Sequence, residues 1–301
     1  TLERVAESNN VEVIEDIEEK REVKNDMEQE YRSAYFKRLL GRELTEEETR
    51  AYAVAGVKGA IPTETADEII KKITKVAPML DEITLLNVKG NVSFAVEGTK
   101  NSAGIHTENA SITGDSDTLV TVTLGGYEIT KLVQVSKSVE TMTIDAFEAW
   151  LTDMIAEMVG EKIEDLIING TGSSQPTGIE KANTWGATNS VTVAKTGTLS
   201  ADNVRALIAL LPAAYDRNAK ILMNKKTLFN SFMGLQDNAK HDLVRENAGT
   251  FYVYGYEVLI SDKVSDDVAY LGDFKKYVGN LSAEVEIVSQ FDINTNSNKY
   301  L

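Results

Sequence analysis

The residues that look most like chemistry form the run IINGTGSSQPTGI, positions 167–179. Glycines beside hydroxyl side chains are the material of a phosphate cradle, because backbone N–H groups converge on an anion only where side chains leave room. Such a cradle needs a strand before it, a helix after it, and a lysine with a hydroxyl in G-x-x-x-x-G-K-[ST]. Here the loop follows the C-terminal end of a long helical pattern, where the macrodipole is negative and repels an anion. It carries no lysine, and Pro176 contributes no N–H. The dinucleotide fingerprint fails as well, since no third glycine stands three residues after the second. The pattern fits a tight reversal, with Asn169 and Gly170 as a left-handed helix stop and Gly172, Pro176 and Gly178 turning the chain.

The other chemical candidates are weak. Histidine occurs only at His106 and His241, neither has a second ligand at helical spacing, and there is no cysteine, so no zinc site is expected. His241 reads as part of a solvated turn. No G-x-S-x-G supports a serine nucleophile. The run DSDTL at Asp115 opens like a calcium loop, but Leu119 and Val120 stand where a ligand and a glycine are needed. Among 47 acidic residues no pair is set apart by an apolar neighbourhood, so no acid–base pair, catalytic residue, cofactor site or metal site is assigned. The asparagines of four N-x-S/T sequons, Asn91, Asn109, Asn169 and Asn280, read as by-products of composition.

The elements around these residues begin with a helical segment. Residues 1–50 hold nine basic and fifteen acidic side chains and no proline. Val13, Ile14, Ile17, Met27, Tyr31, Ala34 and Tyr35 recur at helical intervals, while Arg21 and Lys24 interrupt any heptad seam, so a partner-seeking or partly mobile helix is expected rather than a self-sufficient coiled coil. Gly41 ends it, and Thr45 with Glu48 forms a capping box for a second helix through Ala55. A helix with Ile69, Ile70 and Ile73 on its apolar side follows, and the domain proper begins near Ile61.

Alternating residues in ITLLNVKGNVSFAVEG and DTLVTVTLGGYEITKLVQVSK predict two strands flanking a polar excursion over 99–117, a hairpin arm. Residues 143–169 predict a long helix, capped by Asp145 with Glu148 and apolar along one stripe from Ile144 to Ile167. At about 1.5 Å per residue it spans roughly 35–40 Å. Beyond the glycine loop the pattern predicts a strand at 190–194, a helix at 200–211 capped by Ser200, a strand at 219–223, a helix at 225–235, and strands in TFYVYGYEVLISD. The tail returns to strands.

Composition removes further function classes. The chain has 301 residues and a formal net charge of -16, which opposes binding to a phosphate backbone. No apolar run reaches the roughly 20 residues of a membrane span. A structural or assembly protein with an arm, a spine helix and a separate lobe is the reading these residues support.

The order of segments resembles the major capsid proteins of tailed bacteriophages, the Hong Kong 97-type capsid fold. EYRSAYFKRLLG, IPTETADEIIKKI, the long helix leading into NGTGSSQPTGI, KILMNKKTLFNSFMGLQD, and YGYEVLISDKV before AYLGDF carry the resemblance in colinear order. It implies an α+β chain with an acidic helical segment over 1–55, the end of a scaffolding region. The N-terminal arm and the start of the peripheral domain follow at 56–87, and an extended hairpin loop at 88–126. The spine-helix part of the peripheral domain occupies 127–170, the axial domain 171–262, and a return to the peripheral domain 263–301. In such a protein Asn169, Gly170, Gly172, Pro176 and Gly178 form the junction between spine helix and axial domain.

The implied function is self-assembly into pentamers and hexamers of an icosahedral shell. The shell encloses double-stranded DNA without reading its sequence, with a scaffold or maturation protease and a portal as partners and no membrane. The implied location is the virion, assembled in the host bacterial cytoplasm. Cleavage is expected between Gly41 and Ile61. Lys100, in the expected loop, is a candidate cross-link donor, with no acceptor or catalytic glutamate to match it. An encapsulin-like compartment shares the fold, and a glycine-loop nucleotide-binding enzyme is the rival from another class.

Overall fold

A computed structural model describes residues 26–54, 61–99, 118–136, 142–194, 197–237, 239–281, 285–287, 289–292 and 297–300. Its helices are α1 (26–39), α2 (Glu46–Val54), α3 (Thr63–Val76), α4 (Met79–Glu82), α5 (Ile144–Asn169), α6 (Ile179–Ala182), α7 (Ala201–Ala209), α8 (Ala213–Asp216) and α9 (Lys225–Thr227). Its strands are β1 (Thr84–Leu86), β2 (Val92–Thr99), β3 (Thr118–Leu124), β4 (Val133–Ser136), β5 (Lys220–Met223), β6 (Val244–Asn247), β7 (Thr250–Val253), β8 (Tyr256–Ile260), β9 (Ala269–Gly272), β10 (Val278–Asn280), β11 (Ser289–Asp292) and β12 (Ser297–Tyr300). These group into two compact units. The first holds described residues within 1–76, 129–161 and 284–301, and the second those within 77–128 and 162–283.

In the first unit α1 ends as expected at Gly41, whose φ of 73° suits glycine. Gly41 N–H donates to Arg38 O and Arg42 N–H to Lys37 O, the paired bonds of a Schellman stop. The capping box of α2 also forms: Glu48 N–H donates to Thr45 Oγ1 (3.3 Å), and Thr45 N–H to Glu48 Oε2 (2.9 Å). Tyr35, Phe36, Leu39 and Leu40 are buried in one core with Ile61, Phe147, Leu151, Ile287 and Tyr300. The antiparallel sheet β11-β12-β4 belongs to this unit. The segment read as partner-seeking thus finds its partner within its own chain. Val13, Ile14 and Ile17 lie outside the described residues.

The start of α5 corrects the sequence reading. Thr143 caps it, accepting from Ala146 N–H through Oγ1 (3.3 Å), while the helix already includes Asp145. Glu148 is spent elsewhere. Its carboxylate takes Arg32 Nε (2.8 Å to Oε2) and the Thr65 hydroxyl (2.7 Å to Oε1), tying α1 and α3 to α5. Beside the apolar stripe runs a second buried row at every fourth position: Glu148, Thr152, Ala156, Gly160 and Glu164. Three of these meet α3 in order, Glu148 at Thr65, Thr152 at Lys72 Nζ (3.0 Å) and Gly160 at Val76. Small and polar residues let the two helices approach closely there, whereas Met158, assigned to the stripe, is exposed.

In the second unit a five-stranded sheet runs β6-β7-β8-β5-β9, with β5 and β8 parallel and the other pairs antiparallel. Its core gathers Ala201 and Val204 of α7 with Ile221, Met223, Leu228, Phe232, Leu243, Val253 and Val258. Ser200 caps α7 as predicted, in a full capping box with Asn203. No strand forms at 190–194. Gly186–Ser190 closes into a turn (Ser190 N–H to Gly186 O, 2.8 Å), and both edges of the sheet are occupied by β6 and β9. The helix expected over 225–235 is instead α9 followed by a π turn, Leu228–Phe232, which buries both Leu228 and Phe232.

Separately, β1 pairs parallel with β10, and β2 pairs antiparallel with β3 as a two-stranded ribbon.

Candidate assembly elements and the reversal after the long helix

The glycine loop is a closed clamp. Thr171 and Thr177 pair across it, Gly172 N–H donates to Pro176 O (3.1 Å), and Gly178 N–H donates to Gly170 O (2.8 Å). The Thr171 hydroxyl accepts from Gln175 Nε2 (2.7 Å), and Thr177 O accepts from the Tyr277 hydroxyl (2.7 Å). Asn169 Nδ2 donates to Asp165 Oδ1 (3.0 Å) and Lys263 O (2.8 Å). The amides of Gly172 and Gly178 are therefore already occupied by the loop's own carbonyls and are not free for a phosphate.

Asn169, Gly170, Gly172, Pro176 and Gly178 all lie in this reversal, but Gly170 is not the left-handed stop expected of it. It is not in the left-handed region; Gly172 (φ 76°) and Ser174 (φ 56°) are. Gly170 is required by contact. A Cβ there would lie 2.3 Å from Pro176 O and 2.5 Å from Leu166 O, and a Cβ on Gly178 would lie 2.4 Å from Gly170 N. The reversal is made by two glycine backbones packed against each other.

One turn before the clamp sits Glu164, buried on α5. Its carboxylate accepts from Met79 N–H (3.1 Å to Oε2) and from the Ser261 hydroxyl. Among the described residues Glu164 Oε1 is buried without a hydrogen-bond partner. Burial pushes its pKa up, only partly countered by Ser261, the Met79 amide and the Lys263 charge. This is the apolar-set carboxylate that no pattern in the sequence singled out. Its one sequence signal is the four-residue spacing from Glu148 through Gly160.

The ribbon is the second assembly element. Its register sets Val92 against Leu124 and Phe94 against Val122 on one face, and Ser93 against Thr123 on the other, their hydroxyls 2.9 Å apart. Val122 is 38% exposed, and Leu85, Val88, Tyr127 and Leu132 near the ribbon's base in sequence are exposed too. The base is held by Asn280, whose side chain accepts from Val88 N–H (3.0 Å) and donates to Val88 O (2.9 Å). Lys100, His106 and Asp115 lie outside the described residues.

Among the described residues no three His, Cys, Asp or Glu side chains gather as a metal site, and no helix is long and apolar enough to cross a membrane. His241 is exposed, its Nδ1 3.2 Å from Asp237 Oδ2 in a surface turn.

A sequence model of the phage capsid family matches residues 58–298. The chain belongs to the phage capsid family. The capsid of an empty GTA particle, computed with C5 symmetry, is 21% identical, covers 75% of this chain and 82% of its own, and superposes with a TM-score of 0.60. The native GTA particle capsid follows at 19% identity, 75% and 83% coverage and TM-score 0.58. A structure from Microbacterium phage Oxtober96 is 16% identical, covers 74% and 81%, and has a TM-score of 0.56. No curated protein matches in sequence. The fold is the Hong Kong 97-type capsid fold, and this capsid protein is a structural component of a shell.

Proposed function

We propose that this capsid protein assembles as pentamers and hexamers into an icosahedral shell enclosing double-stranded DNA without sequence-specific contact. It has no catalytic role of its own. The observation that carries the proposal is the family match over residues 58–298. The C5 symmetry used for the GTA capsid agrees with fivefold positions. Support from physics comes from the ribbon: a two-stranded sheet whose apolar face is half-buried, with Val122 exposed, is marginal alone in water and is stabilised by a surface to lie on. In this reading residues 88–126 are the extended loop that covers a neighbouring subunit. α5 is the spine, and Asn169–Gly178 is the junction in the chain between it and the axial domain. We extend the axial domain beyond residue 262 to Gly272, because β9 completes the sheet of β5.

The net charge of -16 suits a shell wall that lets a packaged genome slide rather than stick. Unaltered packaging after charge reversal of inward-facing acids would count against that role. A portal and a scaffold or maturation protease are the expected partners, and the virion the location, reached from the host cytoplasm. Electron microscopy of the expressed full chain tests the main proposal. Regular hollow shells are expected, and a stable monomer at high concentration would end it.

A further inference from the structure

The family match starts at residue 58, yet residues 26–54 are built into the core of the first unit. Phe36 is fully buried and meets Phe147 edge to face, with ring centroids 6.4 Å apart. Leu40 is buried beside it, and Leu39 O accepts from the Tyr300 hydroxyl (3.3 Å). Arg42 Nη2 donates to Met142 O (2.5 Å). The buried carboxylate of Glu148 has Arg32 as its cation, with Nη2 2.6 Å from Oε2. α2 is tied back onto α1 by Lys37 Nζ to Glu48 Oε1 (2.6 Å), Ser33 Oγ to Glu48 Oε1 (2.8 Å) and the stacked rings of Tyr31 and Tyr52.

We infer that residues 26–54 are a permanent part of the shell subunit: a helical hairpin that fills the apolar groove over Phe147 and Leu151 and supplies the counter-ion of Glu148. Every cut between Gly41 and Ile61 separates a core-forming segment from the rest of its fold. A scaffold segment made for removal has the opposite design, since its departure must leave a surface that water tolerates. Here departure would bare Phe147, Leu151 and Tyr300 to water and strand an unpaired carboxylate among them. The hairpin thus lies before the residues that match the family, and the shell keeps it. The inference uses the capsid reading only to say which particle retains it.

Two measurements on the full chain test it. In shell protein from native particles, peptides from residues 26–54 are expected at the same molar ratio as peptides from β5 to β9. Their absence would overturn the inference. In the expressed chain, Phe36→Asp with Leu40→Asp is expected to lower the yield of soluble folded protein by about tenfold or more, as charges forced into an apolar core do. Phe36→Leu is expected to retain most of the yield. A Phe36→Asp/Leu40→Asp chain with wild-type yield and melting temperature would equally overturn it. Folded yield and melting read the hairpin even where the chain forms no shells, so failure of the capsid reading and failure of this one give different results.

Discussion

Arg32 and Glu148 stand 116 positions apart in sequence, and Arg32 holds both carboxylate oxygens of Glu148 through Nε at 3.0 and 2.8 Å. The glutamate is buried while the arginine side chain is 39% exposed, so the cost of losing the pair falls unevenly. Arg32→Ala leaves a buried, desolvated carboxylate that, among the described residues, keeps the Thr65 hydroxyl as its donor. A loss on the order of 2 kcal/mol is expected, below the roughly 3–5 kcal/mol of fully buried pairs. Arg32→Met with Glu148→Met is expected to recover much of it. Urea unfolding of the two variants checks this, and an Arg32→Ala chain as stable as wild type refutes it.

Glu48 offers a pH test within the same hairpin. Burial alone would raise its pKa, but Lys37, the Thr45 amide and the Ser33 hydroxyl outweigh that and bring it down to about 2 from 4.5. A depressed carboxylate stabilises the fold above its unfolded pKa and loses that stabilisation as pH falls through the folded value. Glu48→Gln is therefore expected to cost up to roughly 3–4 kcal/mol at neutral pH, from a lowering of 4.5 to about 2 at about 1.36 kcal/mol per pKa unit. The gap between variant and wild type should close between pH 4.5 and about 2. Paired unfolding curves across that window measure it.

Glu164 has the opposite sign. Its pKa is raised by burial, so the folded state holds the proton more tightly than the unfolded one. Stability then declines as pH rises from the ordinary 4.5 through the raised folded value. Glu164→Gln removes that titration, and its stability relative to wild type is expected to improve as pH rises from 4.5 through the raised folded value. A pH-independent difference would show that Glu164 is not held this way.

These carboxylates mark where sequence reading works and where it stops. The Gly41 stop, the Thr45–Glu48 box and the Ser200 cap were legible because each depends on residues within a few positions of one another. The ribbon was legible from its alternation. Glu148 reads as a cap because its partners Arg32 and Thr65 are distant in sequence, and the local motif is complete without them. The row Glu148 to Glu164 was hidden for a related reason: hydrophobic periodicity finds apolar stripes, and a helix face made for close approach is lined by small and polar groups. Within the loop the expectation of a left-handed stop at Gly170 fails, since close backbone packing leaves no trace in one sequence.

Gly170 and Gly178 separate close packing from ordinary loop tolerance. A methyl on either meets backbone at 2.5 Å or less, and backbone cannot swing aside as a flexible side chain does. Gly170→Ala or Gly178→Ala is expected to cost at least ~2–3 kcal/mol and to lower shell yield. Gly186→Ala, with open space around it, is expected to stay within about 0.5 kcal/mol. Thermal melting and electron microscopy of the three chains distinguish packing at the clamp from a general sensitivity of loop glycines.

Gly160 gives the sharpest test of the second row on α5, because two general rules oppose each other there. Replacing an exposed mid-helix glycine with alanine stabilises by about 1 kcal/mol through backbone entropy. At Gly160 the added Cβ would sit 2.9 Å from Val76 Cβ and 3.0 Å from Val76 Cγ1, with Ile73 O at 3.3 Å. Overpacking of this kind costs roughly 1–3 kcal/mol, so Gly160→Ala is expected to destabilise on balance. Val76→Ala clears Cγ1 but leaves Cβ, so the double variant should recover part of the loss, with a coupling of at least about 0.5 kcal/mol. A double-mutant cycle by urea unfolding reads that coupling. A stabilised Gly160→Ala chain would mean that α3 and α5 do not approach along this row, and that the glycine sits in the helix for some reason other than contact.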